Sequence, residues 1–251
     1  MAEPRRTMDG SRAFWLFLKF VLLGPALHLL FRPKVTGLEH IPREGGAIIA
    51  ANHVSFLDPL LLPLVVPHRR VMFLTKVKYI DKPMLRWFLT GAGVIPVAAG
   101  DPRAVTSAVT AAVEAVRSGR LVGIFPEGTR SPDGRLHRGK TGVARVAIDS
   151  GAPVIPAGII GTDLAFPRGA RLPRPRSVQI VFGPPIRFAI PGDRARSASL
   201  SRTATEQVMA AIRDLSGQEA AEADPAAQAP SVSAAPADSR PDAHEGGNLR
   251  P

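Results

Sequence analysis

The sequence predicts an α/β domain, in which a layered sheet of largely parallel or mixed strands is flanked by helices. Over residues 35–216, short aliphatic runs alternate with longer stretches of helical character, a pattern typical of layered α/β folds. A strongly apolar segment precedes this region, and an acidic Ala/Pro-rich stretch follows it. We therefore divide the chain into a basic and apolar membrane-associated segment (1–34), the α/β domain (35–216) and a disordered tail (217–251).

The predicted strands are short apolar runs bounded by turn residues, at 47–51, 71–75, 94–97, 121–125, 154–160 and 178–182. Helices are predicted near 58–66, 82–91, 103–118, 139–149 and 199–215. Asp101 and Pro102 favour the start of the third helix, and Gly119 favours its end. Gly151 ends the fourth helix, and Pro153 blocks its continuation.

The segment 13–31 is nearly all apolar and has the length of a membrane-spanning helix. Lys19 interrupts it, and Gly24 followed by Pro25 is expected to break a helix near its centre. We therefore predict two short helices in a hairpin lying in the membrane interface. Basic residues on both flanks favour the cytoplasmic face of the cell membrane. A full span, a cleaved signal peptide and a buried pair of core helices are the alternatives.

The chain carries a formal net charge of +11, which is unevenly distributed. The tail holds six acids against two arginines, so residues 1–216 carry +15. Such an excess favours a polyanionic partner: anionic lipid, nucleic acid or a phosphorylated substrate. With one Tyr and no alternation of aromatic and basic residues, we expect no nucleic-acid partner. The absence of cysteine excludes disulfides, thiolate zinc sites and a Cys nucleophile.

The segment 52–58 places His53 and Asp58 five positions apart, directly after the first predicted strand. A histidine oriented by a carboxylate is the general-base half of a catalytic triad. Alternatively, Asp58 is an N-cap with Pro59 at the first helical position, or it pairs with Ser55 in a capping box, and His53 is a structural histidine. No G-x-S-x-G nucleophile elbow occurs in the chain, which disfavours a serine hydrolase.

A second polar constellation, Glu127, Gly128, Thr129 and Arg130, follows the fourth predicted strand. The glycine permits a tight turn, and the arginine can hold a phosphate through two parallel hydrogen bonds. Glu127 can orient a basic side chain or accept a substrate hydroxyl. The alternative is a polar surface loop with a Glu–Arg pair of little energetic value.

The segment 134–141 matches the phosphate-binding loop pattern G-x-x-x-x-G-K-[ST]. That motif requires a strand ending at its first glycine, whereas the predicted strand ends nine residues earlier, at Phe125. The required context is therefore missing. Lys140 remains a candidate for binding an anion at the start of the following helix, and a nucleotide-dependent enzyme remains a competing hypothesis.

The two constellations in this order, Asn-His-x-x-x-x-Asp at 52–58 and Phe-Pro-Glu-Gly-Thr-Arg-Ser at 125–131, resemble the glycerolipid acyltransferases, and more narrowly the bacterial 1-acyl-sn-glycerol-3-phosphate acyltransferases. The resemblance extends from about residue 32 to 215. The segments 93–97 and 152–156 are similar to two further motifs of that family. The chain departs from the family after residue 97, where an Arg is usual and Ala98 to Asp101 stand instead.

The resemblance implies transfer of an acyl group from a thioester, acyl-CoA or acyl carrier protein, to the free 2-hydroxyl of a lysophospholipid. His53 would act as general base, with its ring oriented by Asp58, and no cofactor is implied. The resemblance further implies a set of residues that hold the glycerol phosphate: Glu127, Gly128, Thr129, Arg130, Lys76, Lys140 and, in place of the missing family arginine, Arg103.

Two further hypotheses remain open at this stage. An acyltransferase of this kind can use a different lysolipid or a glycolipid as acceptor. A non-catalytic protein with the same fold can bind anionic lipid at a membrane surface in a salt-dependent way.

Overall fold

A computed structural model of the chain describes residues 12–76, 93–97, 104–189 and 198–221. The predicted helix at 82–91 lies outside the described residues, as does the predicted tail from residue 222 onward.

Seven strands form one mixed sheet in the order β1-β7-β6-β2-β5-β3-β4. The strands, numbered along the chain, are β1 (Lys34–Thr36), β2 (Ala47–Ala51), β3 (Val71–Lys76), β4 (Val94–Val97), β5 (Leu121–Ile124), β6 (Val154–Ile160) and β7 (Gln179–Phe182). All neighbouring pairs are parallel except β6 and β7, which run antiparallel. The predicted α/β class and mixed sheet are therefore confirmed, and the six predicted strands are present within a residue of their expected bounds.

The central strand β2 is buried along its whole length, because helices cover both faces of the sheet. Successive residues of β2 point to opposite faces. Ile49 packs with Phe73 and Ile155 in one core cluster, and Ile48 packs with Met72 in the other. Burial on both faces explains why the strand reads as an unbroken apolar run.

The helices that follow the N-terminal segment are α3 (Asp58–Val65), α4 (Ala104–Arg117), α5 (Gly142–Ser150), α6 (Thr162–Ala165) and α7 (Ala198–Ser216). Apolar residues of α4, α5 and α7 share the core cluster of Ile48, whereas α3 contributes to the cluster on the opposite face. Helix α5 begins three residues later than predicted. In the loop before this helix, a Cβ on Gly139 would lie 2.7 Å from the Met209 side chain, so glycine permits the close approach.

The N-terminal segment differs from the predicted hairpin. Its helix runs on through α1 (Arg12–Phe17), a π-helical stretch (Leu18–Leu22) and α2 (Leu23–Phe31), and Ala13–Phe31 is long and apolar enough to cross a membrane. The wider π turn lets the chain pass Gly24 and Pro25 without a break. A Cβ on Gly24 would lie 1.8 Å from the Lys19 carbonyl oxygen, so glycine is required there.

The helical run docks against the domain on one side. Trp15 packs on Leu64 of α3, and the buried Lys19 amine donates to the Val66 carbonyl. Burial lowers the pKa of Lys19 to about 8. The other side exposes a set of large apolar side chains: Leu16, Phe17, Phe20, Val21, Leu22 and Leu29. An apolar face turned to solvent is uncommon in soluble domains.

Two short elements, β1 and α6, were not predicted, because three or four residues carry too little periodicity to be recognised.

The chain remains hydrogen-bonded to the domain beyond residue 216, where the domain was predicted to end. Leu136 donates its amide to the Glu219 carbonyl at 2.8 Å and accepts the Ala221 amide at 2.9 Å. Residues 217–221 therefore belong with the described domain.

Candidate active site

His53 and Asp58 form a hydrogen-bonded pair at the carboxyl end of β2. Nδ1 of His53 lies 2.9 Å from Oδ2 of Asp58. The same oxygen accepts the backbone amides of Val54 at 2.8 Å and Ser55 at 2.7 Å. The aspartate is fully buried, and the histidine side chain is 16% exposed. A carboxylate held by several donors orients the ring with Nδ1 toward it, so Nε2 is directed elsewhere.

The second oxygen of Asp58 has its own partner. The hydroxyl of Thr162 donates to Oδ1 at 2.6 Å, and this threonine is fully buried at the start of α6. The Ser55 hydroxyl bonds the Phe166 carbonyl just beyond that helix, at 3.2 Å. Helix α6 therefore fixes the segment 52–58, here called the His–Asp loop, from the side of β6.

The alternative reading of Asp58 as an N-cap is wrong. Leu57 occupies the cap position, and Asp58 is the first residue of α3. The capping-box reading is confirmed in part, because Asp58 reaches back to the Ser55 amide. Toward the helix, the Ser55 hydroxyl accepts one long hydrogen bond, from the Leu57 amide at 3.4 Å. Asp58 thus both shapes the loop and orients the ring.

A column of aromatic rings supports the face of His53. Phe125 stacks on the imidazole with centroids 4.1 Å apart and an interplanar angle of 17°. Phe73 stacks on Phe125 with centroids 5.2 Å apart. Gly123 makes room for the column, since a Cβ there would lie 2.4 Å from the Phe73 ring. Sequence reasoning missed this column, although the glycine inside a predicted strand was an available signal of close packing.

Glu127 is buried, and both of its oxygens accept backbone amides. Oε2 accepts the His53 amide at 2.9 Å, and Oε1 accepts the His137 amide at 3.0 Å. Burial raises the pKa of Glu127, and these two hydrogen bonds oppose that rise. Among the described residues, Glu127 forms no ion pair with an arginine, so the alternative of a Glu–Arg pair on a surface loop is not observed. The side chain instead joins the His53 loop to the loop before α5.

Arg130 lies beside His53, because the next residue, Ser131, donates its amide to the His53 carbonyl at 2.7 Å. The Arg130 side chain is half-buried and has no hydrogen-bond or ion-pair partner among the described residues. Gly128 and Thr129 are exposed. The Lys140 side chain lies over Gly128, whose φ of +72° favours glycine: a Cβ there would lie 3.0 Å from Nζ.

The side chains of two predicted substrate-binding residues, Lys76 and Arg103, are not among those that the structure describes. Lys76 is the last residue of β3, and the parallel pairing of β3 with β5, and of β5 with β2, places that end at the same edge as His53. Arg103 lies outside the described residues.

Asn52 anchors the end of β2 to two other segments. Its side chain accepts the Ile159 amide at 2.7 Å and donates to the Ile159 carbonyl at 2.8 Å. It also donates to Oε1 of Gln218 at 2.7 Å, and Gln218 in turn donates to the Gly134 carbonyl at 2.6 Å. Gln218 was missed because it was assigned to the tail.

The phosphate-loop pattern at 134–141 does not form an anion cradle. Three of its amides are already bonded within the protein. The Leu136 amide donates to the Glu219 carbonyl, and the Lys140 amide donates to the Pro126 carbonyl. The His137 amide donates to the carboxylate of Glu127. A phosphate-binding loop needs such amides free and converging on the ligand. The nucleotide-dependent alternative is therefore unsupported by this loop.

Known proteins resemble this chain in sequence and in fold. A crystal structure of the 1-acyl-sn-glycerophosphate acyltransferase PlsC from Thermotoga maritima superposes with a TM-score of 0.58 and 26% identity, covering 81% of this chain and 87% of that one. A 1-acyl-sn-glycerol-3-phosphate acyltransferase of Borreliella burgdorferi is 33% identical over 132 residues, 53% of this chain and 52% of the relative.

A chloroplastic 1-acyl-sn-glycerol-3-phosphate acyltransferase of Brassica napus is 31% identical over 160 residues, 63% of this chain and 46% of the relative. The chain thus spans about half the length of the curated relatives it matches. Residues 32–160 match the family model described as Acyltransferase. This match covers more than half of the chain and includes His53, Asp58 and Glu127 to Arg130, so the protein belongs to the Acyltransferase family.

Proposed function

We propose that this protein transfers an acyl group from an acyl thioester to the free 2-hydroxyl of 1-acyl-glycerol-3-phosphate, giving phosphatidic acid. The observation that carries the proposal is the geometry of His53. Its Nδ1 is held by the buried Asp58 at 2.9 Å, and its Nε2 has no hydrogen-bond partner among the described residues. A ring held in this way can exchange a proton at Nε2.

In the proposed reaction the acceptor's own hydroxyl is the nucleophile, which agrees with the lack of a nucleophile elbow in the chain. Nε2 of His53 takes the hydroxyl proton as the oxygen attacks the thioester carbonyl. The new C–O ester bond forms, the C–S bond breaks, and the imidazolium returns its proton to the departing thiolate. Asp58 stabilises the imidazolium between these steps. No covalent acyl-enzyme and no cofactor are needed.

Arg130 and Lys140 are the proposed contacts for the acceptor phosphate. Arg130 precedes Ser131, whose amide donates to the His53 carbonyl. The Lys140 amine lies above the exposed Gly128. A phosphate held between two cations beside Nε2 would bring the 2-hydroxyl into reach, and such positioning contributes several kcal/mol to rate enhancement. Glu127 acts in this scheme as a positioning residue, because its carboxylate bonds the His53 amide. Lys76 and Arg103 remain candidate contacts.

The choice of acceptor is supported by the relatives, which include 1-acyl-sn-glycerol-3-phosphate acyltransferases from a bacterium and from a plant. A lysolipid with another headgroup would use the same His53 chemistry, and it is the principal alternative acceptor. The basic domain would attract either acidic donor, acyl-CoA or acyl carrier protein.

We further propose that the protein works at the cytoplasmic face of the cell membrane, held there by residues 13–31. The apolar face that includes Phe17, Phe20 and Val21 is exposed, and its opposite face packs on α3 through Trp15. A helix docked on one side and apolar on the other is suited to lie in the membrane interface. Its lipid substrates reside in the same layer.

The decisive experiment is a donor-by-acceptor activity matrix on protein in lipid vesicles, repeated with His53→Ala. We expect the variant to lose about 10²- to 10⁴-fold in rate, the range for general-base catalysis, with unchanged far-UV circular dichroism. His68→Ala is the matched control, because His68 is exposed and precedes β3 at the opposite edge of the sheet. Retention of most of the activity by His53→Ala would overturn the general-base role of His53, whereas no acyl transfer by the unsubstituted protein with any donor and acceptor would leave only a lipid-binding role.

A further inference from the structure

The loop 167–177 between α6 and β7, here called the arginine loop, concentrates positive charge. It contains four arginines and no acidic residue: Arg168, Arg171, Arg174 and Arg176. All four are exposed, and none has an ion-pair partner within the part of the chain that the structure describes. Neither the proposed reaction nor the phosphate contacts make use of them.

The sheet topology places this loop at the edge that carries the active site. The loop leaves the domain after the carboxyl end of β6, and β6 runs parallel to β2, whose carboxyl end bears His53. It returns into β7 at Gln179, which pairs with Ile160. Lys34, the first residue of β1, pairs with Gln179 as well, so the end of α2 reaches the same edge.

Hydrogen bonds to backbone carbonyls hold the arginine loop in place there. The Arg174 amide donates to the Ala165 carbonyl at 2.7 Å. The Ser177 hydroxyl donates to the Arg32 carbonyl at 3.3 Å, and the Val178 amide donates to the Phe31 carbonyl at 3.0 Å. The loop is therefore tied both to α6 and to the end of the apolar helix.

Two highly exposed leucines lie on these connected segments, one near the end of the helix and one in the loop. Leu29 near the end of α2 is 78% exposed, and Leu172 in the middle of the loop is 77% exposed. Exposed leucine flanked by arginine matches the two layers of a membrane surface, in which apolar side chains enter the acyl region and guanidinium groups meet anionic headgroups. An acidic protein would account for the arginines but not for these leucines.

We propose that the arginine loop is a second membrane contact, which binds the anionic surface of a lipid bilayer and turns the His53 edge toward it. This contact adds to the proposed anchoring by residues 13–31 and does not depend on the proposed chemistry. Each basic residue near an anionic surface contributes about fivefold to binding, so several arginines together give a large effect that salt weakens.

A direct test uses the lack of native cysteine in the chain. Leu172→Cys, labelled with an environment-sensitive fluorophore, is titrated with vesicles of phosphatidylcholine containing phosphatidylglycerol. We expect a blue shift and a rise in intensity. Glu44→Cys is the control, since Glu44 is exposed in the loop before β2 at the opposite edge, and its label should not respond. If the label at residue 172 shows neither a blue shift nor a rise in intensity on these vesicles, the proposal is overturned.

The charge contribution is tested by Arg171→Gln, Arg174→Gln and Arg176→Gln in one variant. We expect vesicle binding to weaken about a hundredfold at low salt and to change little on neutral vesicles. The matched control removes three exposed arginines from the opposite edge: Arg43, Arg117 and Arg187. Equal losses in both variants would mean that net charge alone acts, and the proposal fails.

The readouts separate this inference from the proposed function. Binding and fluorescence are measured without turnover, so an inactive protein can still pass both tests. If the loop variant keeps its vesicle binding but loses activity only with acyl carrier protein as donor, the loop binds that protein and the membrane proposal is overturned.

Discussion

The hydroxyl of Thr162 lies 2.6 Å from Oδ1 of Asp58, the oxygen that faces away from His53. Threonine and aspartate are both fully buried, so this hydrogen bond is isolated from water. A hydrogen bond to a buried charged group contributes about 1.5 to 3 kcal/mol. Thr162 therefore holds the carboxylate plane that sets the direction of the imidazole ring.

Thr162→Val is expected to lower kcat about tenfold with little change in the KM of either substrate, because the ring loses its fixed direction while the binding residues remain. Thr162→Ser keeps the hydroxyl and should restore most of the rate. Steady-state kinetics of both variants provide the measurement. A loss in Thr162→Ser equal to that in Thr162→Val would point to packing and not to the hydrogen bond.

Asp58→Asn is expected to lower kcat by about 10² or more while the protein stays folded. The Thr162 hydroxyl can rotate so that its oxygen accepts a hydrogen bond from the new NH₂ group of Asn. The side-chain oxygen of Asn can then still accept the Val54 and Ser55 amides. What is lost is the negative charge that stabilises the imidazolium. Thermal unfolding measured beside kcat separates the two effects, and a large fall in melting temperature would show that the charge mainly supports the loop.

Gly123→Ala should disturb catalysis from a distance. Its Cβ would lie 2.4 Å from the Phe73 ring, which must shift and displace the stacked Phe125 and His53 rings. We expect kcat to fall about tenfold or more with little change in acceptor KM. Adding Phe73→Leu, which frees space, should restore part of the rate, so the two substitutions would be non-additive. Simple additivity in kcat would argue against a role for the aromatic column.

Arg130→Ala is expected to raise the KM for the phosphorylated acceptor about tenfold or more, with a smaller effect on kcat, because it removes the proposed bidentate contact with the phosphate. Arg138→Ala is the matched control, since Arg138 is exposed in the same region. The KM for the acyl donor should stay constant in both variants. An unchanged acceptor KM in Arg130→Ala would remove this residue from the phosphate site.

Lys19→Met should stabilise the docked N-terminal helix in a pH-dependent way. Burial lowers the pKa of Lys19 from 10.5 to about 8, so the folded state binds the proton more weakly than the unfolded state. Stability of the natural protein then rises as pH increases from 8 toward 10.5. The melting temperature of Lys19→Met should exceed that of the natural protein by a few degrees at pH 7, and this difference should shrink toward pH 10. A pH-independent difference would contradict the expectation.

The sheet and its helices were predictable because strands buried on both faces read as unbroken apolar runs, as at 47–51 and 154–160. The reversal of β7 was not predictable, because an antiparallel edge strand has the same short apolar pattern as its parallel neighbours. The continuous N-terminal helix was also missed. Gly24 and Pro25 usually end a helix, and nothing local signals a π turn that accommodates them.

At the site, His53 and Asp58 were found because their spacing is local and sits where a strand meets a helix. Thr162 is separated from Asp58 by 104 residues, and such a pairing leaves no periodic trace in a single sequence. Glu127 was recognised as important, but its exact partners were not. Only the fold reveals that its two oxygens bond the backbone amides of His53 and His137.

The hydrogen bond between Asn52 and Gln218 spans 166 residues of chain, and this separation has a consequence for biosynthesis. A ribosome adds roughly 5 to 20 residues per second, so Gln218 is made on the order of 10 s after Asn52. The apolar helix leaves the ribosome first of all the described elements. A nascent chain whose apolar helix meets a lipid surface in that interval does so before Asn52, which precedes His53, has its Gln218 partner.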